Sequence, residues 1–312
     1  MSLLASASPA LPFPETVAVR IAGRLGMTFF LNNLRIVCDG GDLLDGLILL
    51  AVGQANLGHL DRPHGPPASF AGYDDVLDPA LLRPISVNAL AASLGQPFET
   101  VRRRTAALRE TGACAATDRG LVIPPERWMS DRRKAMAFAI GQQIQALAIG
   151  LQALGVLRTS MNVTTLGRPW VLTRLAADYC LRQLEAMSAH IPDPTVGVLL
   201  IHIIRVTTEH LDDTYTEFTE TEDLVQDDLR RPASVATLAS RAGIPGETVR
   251  RHVALLLARG WIARGPKGGY YLTREMLRAA PWPQARHDNI ANLNRMFAAL
   301  EASARGATRV AP

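Results

Sequence analysis

Apolar positions recur along this chain at helical spacing far more often than they alternate. Val235, Leu238, Ala239 and Ala242 follow Ser234, a residue suited to cap a helix, and Gly243 ends the run. After the turn Ile244-Pro245-Gly246, Val249, Val253 and Leu256 recur at i, i+4 and i+7. That spacing predicts a second helix with one buried stripe, opened by Glu247 and closed by Gly260. Residues 261–264 and 269–272 then read as strand arms around Gly265-Pro266-Lys267-Gly268. Helix, tight turn, helix and β-hairpin together make the layout of a winged helix-turn-helix.

The same pattern occurs earlier: a helix over 86–94, the turn Gly95-Gln96-Pro97, a helix over 99–111, Gly112, and a shorter hairpin around Asp118-Arg119-Gly120. Residues 83–124 match 231–272 at a constant offset of 148 with no gap, with 18 identities in 42 positions. Chance in a chain this rich in Ala and Arg would give about three or four. A weaker match sets 45–61 over 196–212 at offset 151, and residues 135–154 answer 289–302. The chain therefore reads as a duplication. The expected fold is mostly α, each half a helical subdomain plus a winged helix with a small β-hairpin. The first repeat is expected over 1–157 and the second over 158–312, with a polar boundary near 158–165. This accounts for nearly the whole chain and leaves no room for a separate large effector or catalytic domain.

Residues 135–157 carry no charge over 23 positions but hold Gln142, Gln143, Gln145 and Gln152. Amides in lipid are costly, so a buried helix, joining the halves or forming a dimer seam, is expected rather than a membrane span. The N-terminus lacks a basic segment before its apolar stretch and does not read as a signal peptide. Of the connecting loops, 61–78 is rich in Pro and Gly, whereas the one after Glu209 is acidic and lacks the central Gly of a calcium loop. Three widely spaced cysteines, Cys38, Cys114 and Cys180, disfavour a disulfide framework and suit a reduced cytoplasm.

Net charge is +4, but its distribution matters more. Residues 83–134 carry +5 and residues 230–278 carry +8, so the rest of the chain is acidic. With the apolar stripe buried, Thr248, Arg250 and Arg251 cluster with Glu247 at the exposed start of the second helix, the end a recognition helix presents to the major groove. Arginine can bind guanine bidentately or grip phosphate, and threonine suits phosphate. Arg264 and Lys267 on the hairpin can reach flanking backbone. The first copy offers Thr100, Arg102, Arg103, Arg104 and, on its hairpin, Arg119. The two copies differ at positions expected to face the groove: Gln96 against Ile244, Phe98 against Gly246, and Arg104 against His252.

The pattern E-T-V-R-R-x-x-A-x-L-x-x-x-G, at 99–112 and again at 247–260, resembles the recognition helix of bacterial winged-helix transcriptional regulators of the GntR and DeoR type. The resemblance covers about 42 residues twice and extends to none of those families' effector domains. It implies sequence-specific binding of double-stranded DNA and regulation of transcription. A plasmid replication initiator and a winged-helix scaffold for protein interaction are the alternatives.

The chain contains no G-x-G-x-x-G, Walker A, H-E-x-x-H or G-x-S-x-G motif, so neither an enzyme nor a cofactor is expected. His202 and His210, eight apart on an expected helix with Asp212 and Asp213 nearby, are the best candidates for a metal, but a repeated helix end explains His210 more simply. The apolar helices around 46–52 and 196–206 are expected in the core, where a bundle also has room for a small-molecule effector pocket. A homodimer is compatible with this organisation.

Overall fold

The computed structural model describes residues 15–61, 70–157, 167–211 and 224–308. The expected boundary at 158–165, the first part of the Pro/Gly-rich loop, the acidic segment after Leu211, and with it Asp212 and Asp213, lie outside the described residues. The fold is mostly helical, with a few short strands.

Two stretches carry their elements in one order. The first runs α1 (Glu15–Cys38), α2 (Leu43–Leu57), α3 (Val87–Ser93), α4 (Phe98–Glu110), β1 (Ala115–Thr117), β2 (Gly120–Val122), α5 (Pro125–Trp128) and α6 (Asp131–Ala153). The second runs α7 (Pro169–Ser188), α8 (Pro194–Val206), α9 (Val235–Ala242), α10 (Gly246–Ala258), β3 (Ala263–Arg264), β4 (Tyr270–Tyr271), α11 (Arg274–Arg278) and α12 (Trp282–Thr308).

The caps explain where the short helices begin. Ser86 accepts from the Ala89 amide and Ser234 from the Thr237 amide, satisfying donors that a helix start leaves unpaired. At the other end Gly243 takes φ +65°, a conformation costly for residues with a Cβ, and its amide bonds back to the Ala239 carbonyl. The stripe on α10 is buried as its spacing requires, with Val249, Val253 and Leu256 at 2% exposure or less.

The hairpins correct the gapless alignment. Ala115 pairs with Val122, and Ala263 with Tyr271, so the offset grows from 148 to 149 across the turn. The first hairpin closes on two residues, Asp118 and Arg119; the second inserts one more among its glycines. Gly120 and Gly269 occupy corresponding places. Both have positive φ, and a Cβ on either would strike the chain entering the first helix, at Ile85 or Pro232.

The interior is not divided at the expected boundary between halves. One core joins α1, α2 and α6 from the first half to α7 and α12 from the second. A second cluster packs α8 against α9, α10 and the β3–β4 hairpin. An ion pair and a ring stack cross the halves as well. Arg174 of α7 forms a buried pair with Asp61, Nη2 to Oδ1 at 2.8 Å, and Phe70 stacks on Trp170 with centroids 5.1 Å apart.

The uncharged run forms most of α6, but only one side of it is buried. Ile140, Ile144, Leu147 and Leu151 pack toward α1 and α7, so this helix does join the halves. Gln143 accepts from Asn32 at 2.8 Å, while Gln142 and Gln145 are exposed. Among the described residues one helical segment, Leu43–Asp61, is long and apolar enough to cross a membrane; 61% of its apolar window is buried inside the protein.

Candidate nucleic-acid interface

The first helix pair stands on α2 through both of its helices and its hairpin, and the second stands on α8 mainly through its first helix, α9, and its hairpin. In the first, fully buried Asn56 of α2 pins the hairpin: its Nδ2 donates to the Arg83 and Leu121 carbonyls, and its Oδ1 accepts from the Ile123 amide. In the second, the Arg231 amide donates to the Thr207 carbonyl at the end of α8.

With the apolar stripes facing inward, the candidate cations divide into three groups. Arg102 and Arg103 on α4, and Arg250 and Arg251 on α10, are exposed, and Thr100 and Thr248 beside them are half-buried. Arg102 donates to Glu99 at 2.6 Å and Arg250 to Glu247 at 2.7 Å, the same i,i+3 pair in both units. The hydrogen bond from Arg102 holds the Glu99 carboxyl below its ordinary value. Both pairs lie in water, where screening leaves such contacts cheap to exchange for a phosphate. The hairpin group consists of Arg119, Arg264 and Lys267, all exposed.

Arg104 stands apart. Its guanidinium lies 3.0 Å from Asp42, the N-cap of α2, and 3.2 Å from Asp45. Its counterpart His252 is buried and sits 3.8 Å from Asp193, the N-cap of α8. This position therefore anchors the second helix to the start of a scaffold helix, where a carboxylate is already held by the helix amides. Burial lowers the His252 pKa, Asp193 opposes that shift, and Arg251 adds to it. Of the positions expected to face a groove, Ile244 is in the core and His252 is buried beside Asp193, while Arg104, half-buried, reaches Asp42 and Asp45. The Gln96 amide donates to the Pro192 carbonyl, whereas Phe98 is exposed opposite Gly246.

A cleft of about 820 Å³ lies between the two units. Gln96 and Arg104 border it from one side, and Thr248, Arg251 and His252 from the other. Arg35 of α1, Arg205 of α8 and Arg241 of α9 also line it. No local pattern singles these three out, because they come from elements distant along the chain, and Arg35 lies outside the matched segments.

A separate, mostly apolar cavity of about 140 Å³ lies among α1, α7, α8 and α12, with Tyr179, Gln183 and Asn289 in its wall. The Tyr179 hydroxyl donates to Asn289 Oδ1 at 2.7 Å, and Gln183 donates to the same oxygen.

The other chemical candidates fall into place as structural groups. α8 ends at Val206, so His202 and His210 do not share a helix face, and His210 Nε2 donates to the Leu229 carbonyl. No cluster of three or more His, Cys, Asp or Glu suited to a metal occurs among the described residues. The three cysteines are free thiols. Burial raises the pKa of all three, that of Cys38 to about 11, which disfavours the reactive thiolate.

No family model matches this chain, and neither a curated protein nor a solved structure matches it.

Proposed function

We propose that this protein is a sequence-specific, double-stranded DNA-binding transcriptional regulator that arose by internal duplication and carries two winged-helix reading heads in one chain. In this reading α4 and α10 are the recognition helices and the two hairpins are the wings. Arg102, Arg103, Arg250 and Arg251 contact bases and phosphates, Thr100 and Thr248 contact phosphates, and Arg119, Arg264 and Lys267 hold the flanking backbone. Arg104 is an anchor between head and scaffold and not a DNA contact.

The observation that carries this reading is the sidedness of the second helix in both units. One face is sealed in the core, while the opposite face leaves an arginine pair in water at the same two positions, though both units lie in an otherwise acidic chain. That concentration of positive charge is the footprint a polyanion partner requires. A small effector belongs to the apolar cavity beneath the second head, whose walls include Ile201, Leu224 and Leu277 of the region supporting α9 and α10.

The test is selection of bound DNA from a random pool, followed by affinity measurements at several salt concentrations. Log affinity should fall steeply with log salt, because arginine–phosphate contacts release counterions. Each arginine that reads a base contributes ~1–3 kcal/mol, so replacing Arg250 and Arg251 together with Ala should weaken binding to the selected site by at least ~2 kcal/mol. Equal affinity of the folded double variant, or weak binding indifferent to salt, overturns the reading and favours a protein-interaction scaffold.

A further inference from the structure

We propose that the chain pairs with a second copy of itself through α6, the two helices lying antiparallel about a two-fold axis between Gln143 and Ile144. The seam does not depend on what the two helix pairs bind.

The side of α6 turned away from α1 and α7 is a continuous exposed stripe of Ala135, Phe138, Gln142, Gln145, Ile149 and Ala153. Apart from its last step, its spacing alternates three and four residues, the interval of a coiled-coil seam. Phe138 is 59% exposed and Ile149 is 58% exposed. No Asp, Glu, Lys or Arg interrupts the helix from Ala135 to its end.

The stripe is complementary to itself. Setting Phe138 against the partner's Ile149 also sets Gln142 against the partner's Gln145, with Ala135 at the end of the stripe level with the partner's last turn. Large apolar groups then cover each other on both sides of the axis, and two glutamine pairs near the centre can exchange amide hydrogen bonds. Such a patch closes on an identical patch as an isologous interface. The antiparallel direction also sets the helix dipoles in opposition and keeps the charged starts of the two helices, at Asp131 and Arg132, apart. A lipid surface fits less well. Two central amides would enter the apolar phase, and no basic residue lies along the stripe to meet headgroups.

The experiment measures the mass of the full chain in solution at micromolar concentration. The native chain should run at about twice 33.8 kDa. Phe138→Glu with Ile149→Glu, whose side chains are both exposed, should halve that mass while leaving the helix content of the folded chain unchanged and removing the concentration dependence of its thermal transition. Direction is read by oxidation. A tagged Gln142→Cys chain mixed with an untagged Gln145→Cys chain should form a disulfide-linked heterodimer, while Gln142→Cys alone should not link. A monomeric native chain, a double-glutamate variant that remains dimeric, or efficient linking of Gln142→Cys to itself overturns the proposal. So does flotation of the native chain, but not the double-glutamate variant, with phosphatidylcholine vesicles.

Discussion

His202 lies in an environment that disfavours a proton on its imidazole. Burial, with the Arg241 charge nearby, pulls its pKa down to about 4. An unfolded histidine takes up its proton near pH ~6.5. Between those values the unfolded chain binds more protons than the folded one, so stability is full above pH ~6.5 and is lost as pH falls toward 4. The depression corresponds to something on the order of 3 kcal/mol. His252 shifts in the same direction, by burial, and adds to the loss. His202→Gln should therefore flatten the dependence of the urea midpoint on pH between 6.5 and 4, relative to the native chain. An unchanged slope would show that other groups set the acid sensitivity.

At the scale of elements, the first hairpin is held by one side chain. Asn56 meets two carbonyls and one amide inside the protein, and no water is needed to satisfy them. Asn56→Ala should cost about 3 kcal/mol in chemical unfolding, since stranded buried polar groups cost ~1–3 each. The α4 stripe should stay buried while the hairpin amides lose protection in hydrogen exchange. Much of this level was legible in the sequence: capping serines, the stop at Gly243, and the Val249–Val253–Leu256 stripe declare themselves through local spacing. The extra residue of the second hairpin was not, because glycines on either side of the insertion align equally well in either register. The anchoring roles of Arg104 and His252 were hidden for a different reason. Helical spacing shows that a residue leaves the apolar stripe, but only the packing of α4 on α2, and of α10 beside the α8 cap, shows that a carboxylate awaits it. The inward place of Ile244 likewise depends on the second core.

The molecule as a whole is tied together more tightly than its repeated pattern suggests. Arg174→Ala would leave the part-buried Asp61 without its partner, and since breaking a fully buried pair costs ~3–5 kcal/mol, that is the upper bound of the loss. Because the main core spans both halves, that loss should lower one common unfolding transition, seen at the same denaturant concentration by tryptophan fluorescence and by helix content; two separate transitions would contradict it. The two helix pairs proposed as reading heads differ at Phe98, exposed, against Gly246, and in their hairpins. In footprinting on the selected site, Arg102→Ala with Arg103→Ala should erase protection over one half-site, and the Arg250/Arg251 pair over the other. Equal loss over both from either variant would show that the heads do not divide the site. The corner between α7 and α8 gives this division a metric. Pro192 receives the amide of Gln96 from one unit, and Asp193, next to it, faces His252 of the other. Two adjacent residues thus act as the fixed stop of a caliper whose jaws are the two helix pairs. One peptide unit thus fixes the gap between the jaws, and if they are reading heads as proposed, lengthening that corner by one residue should change the spacing of the half-sites that the chain selects.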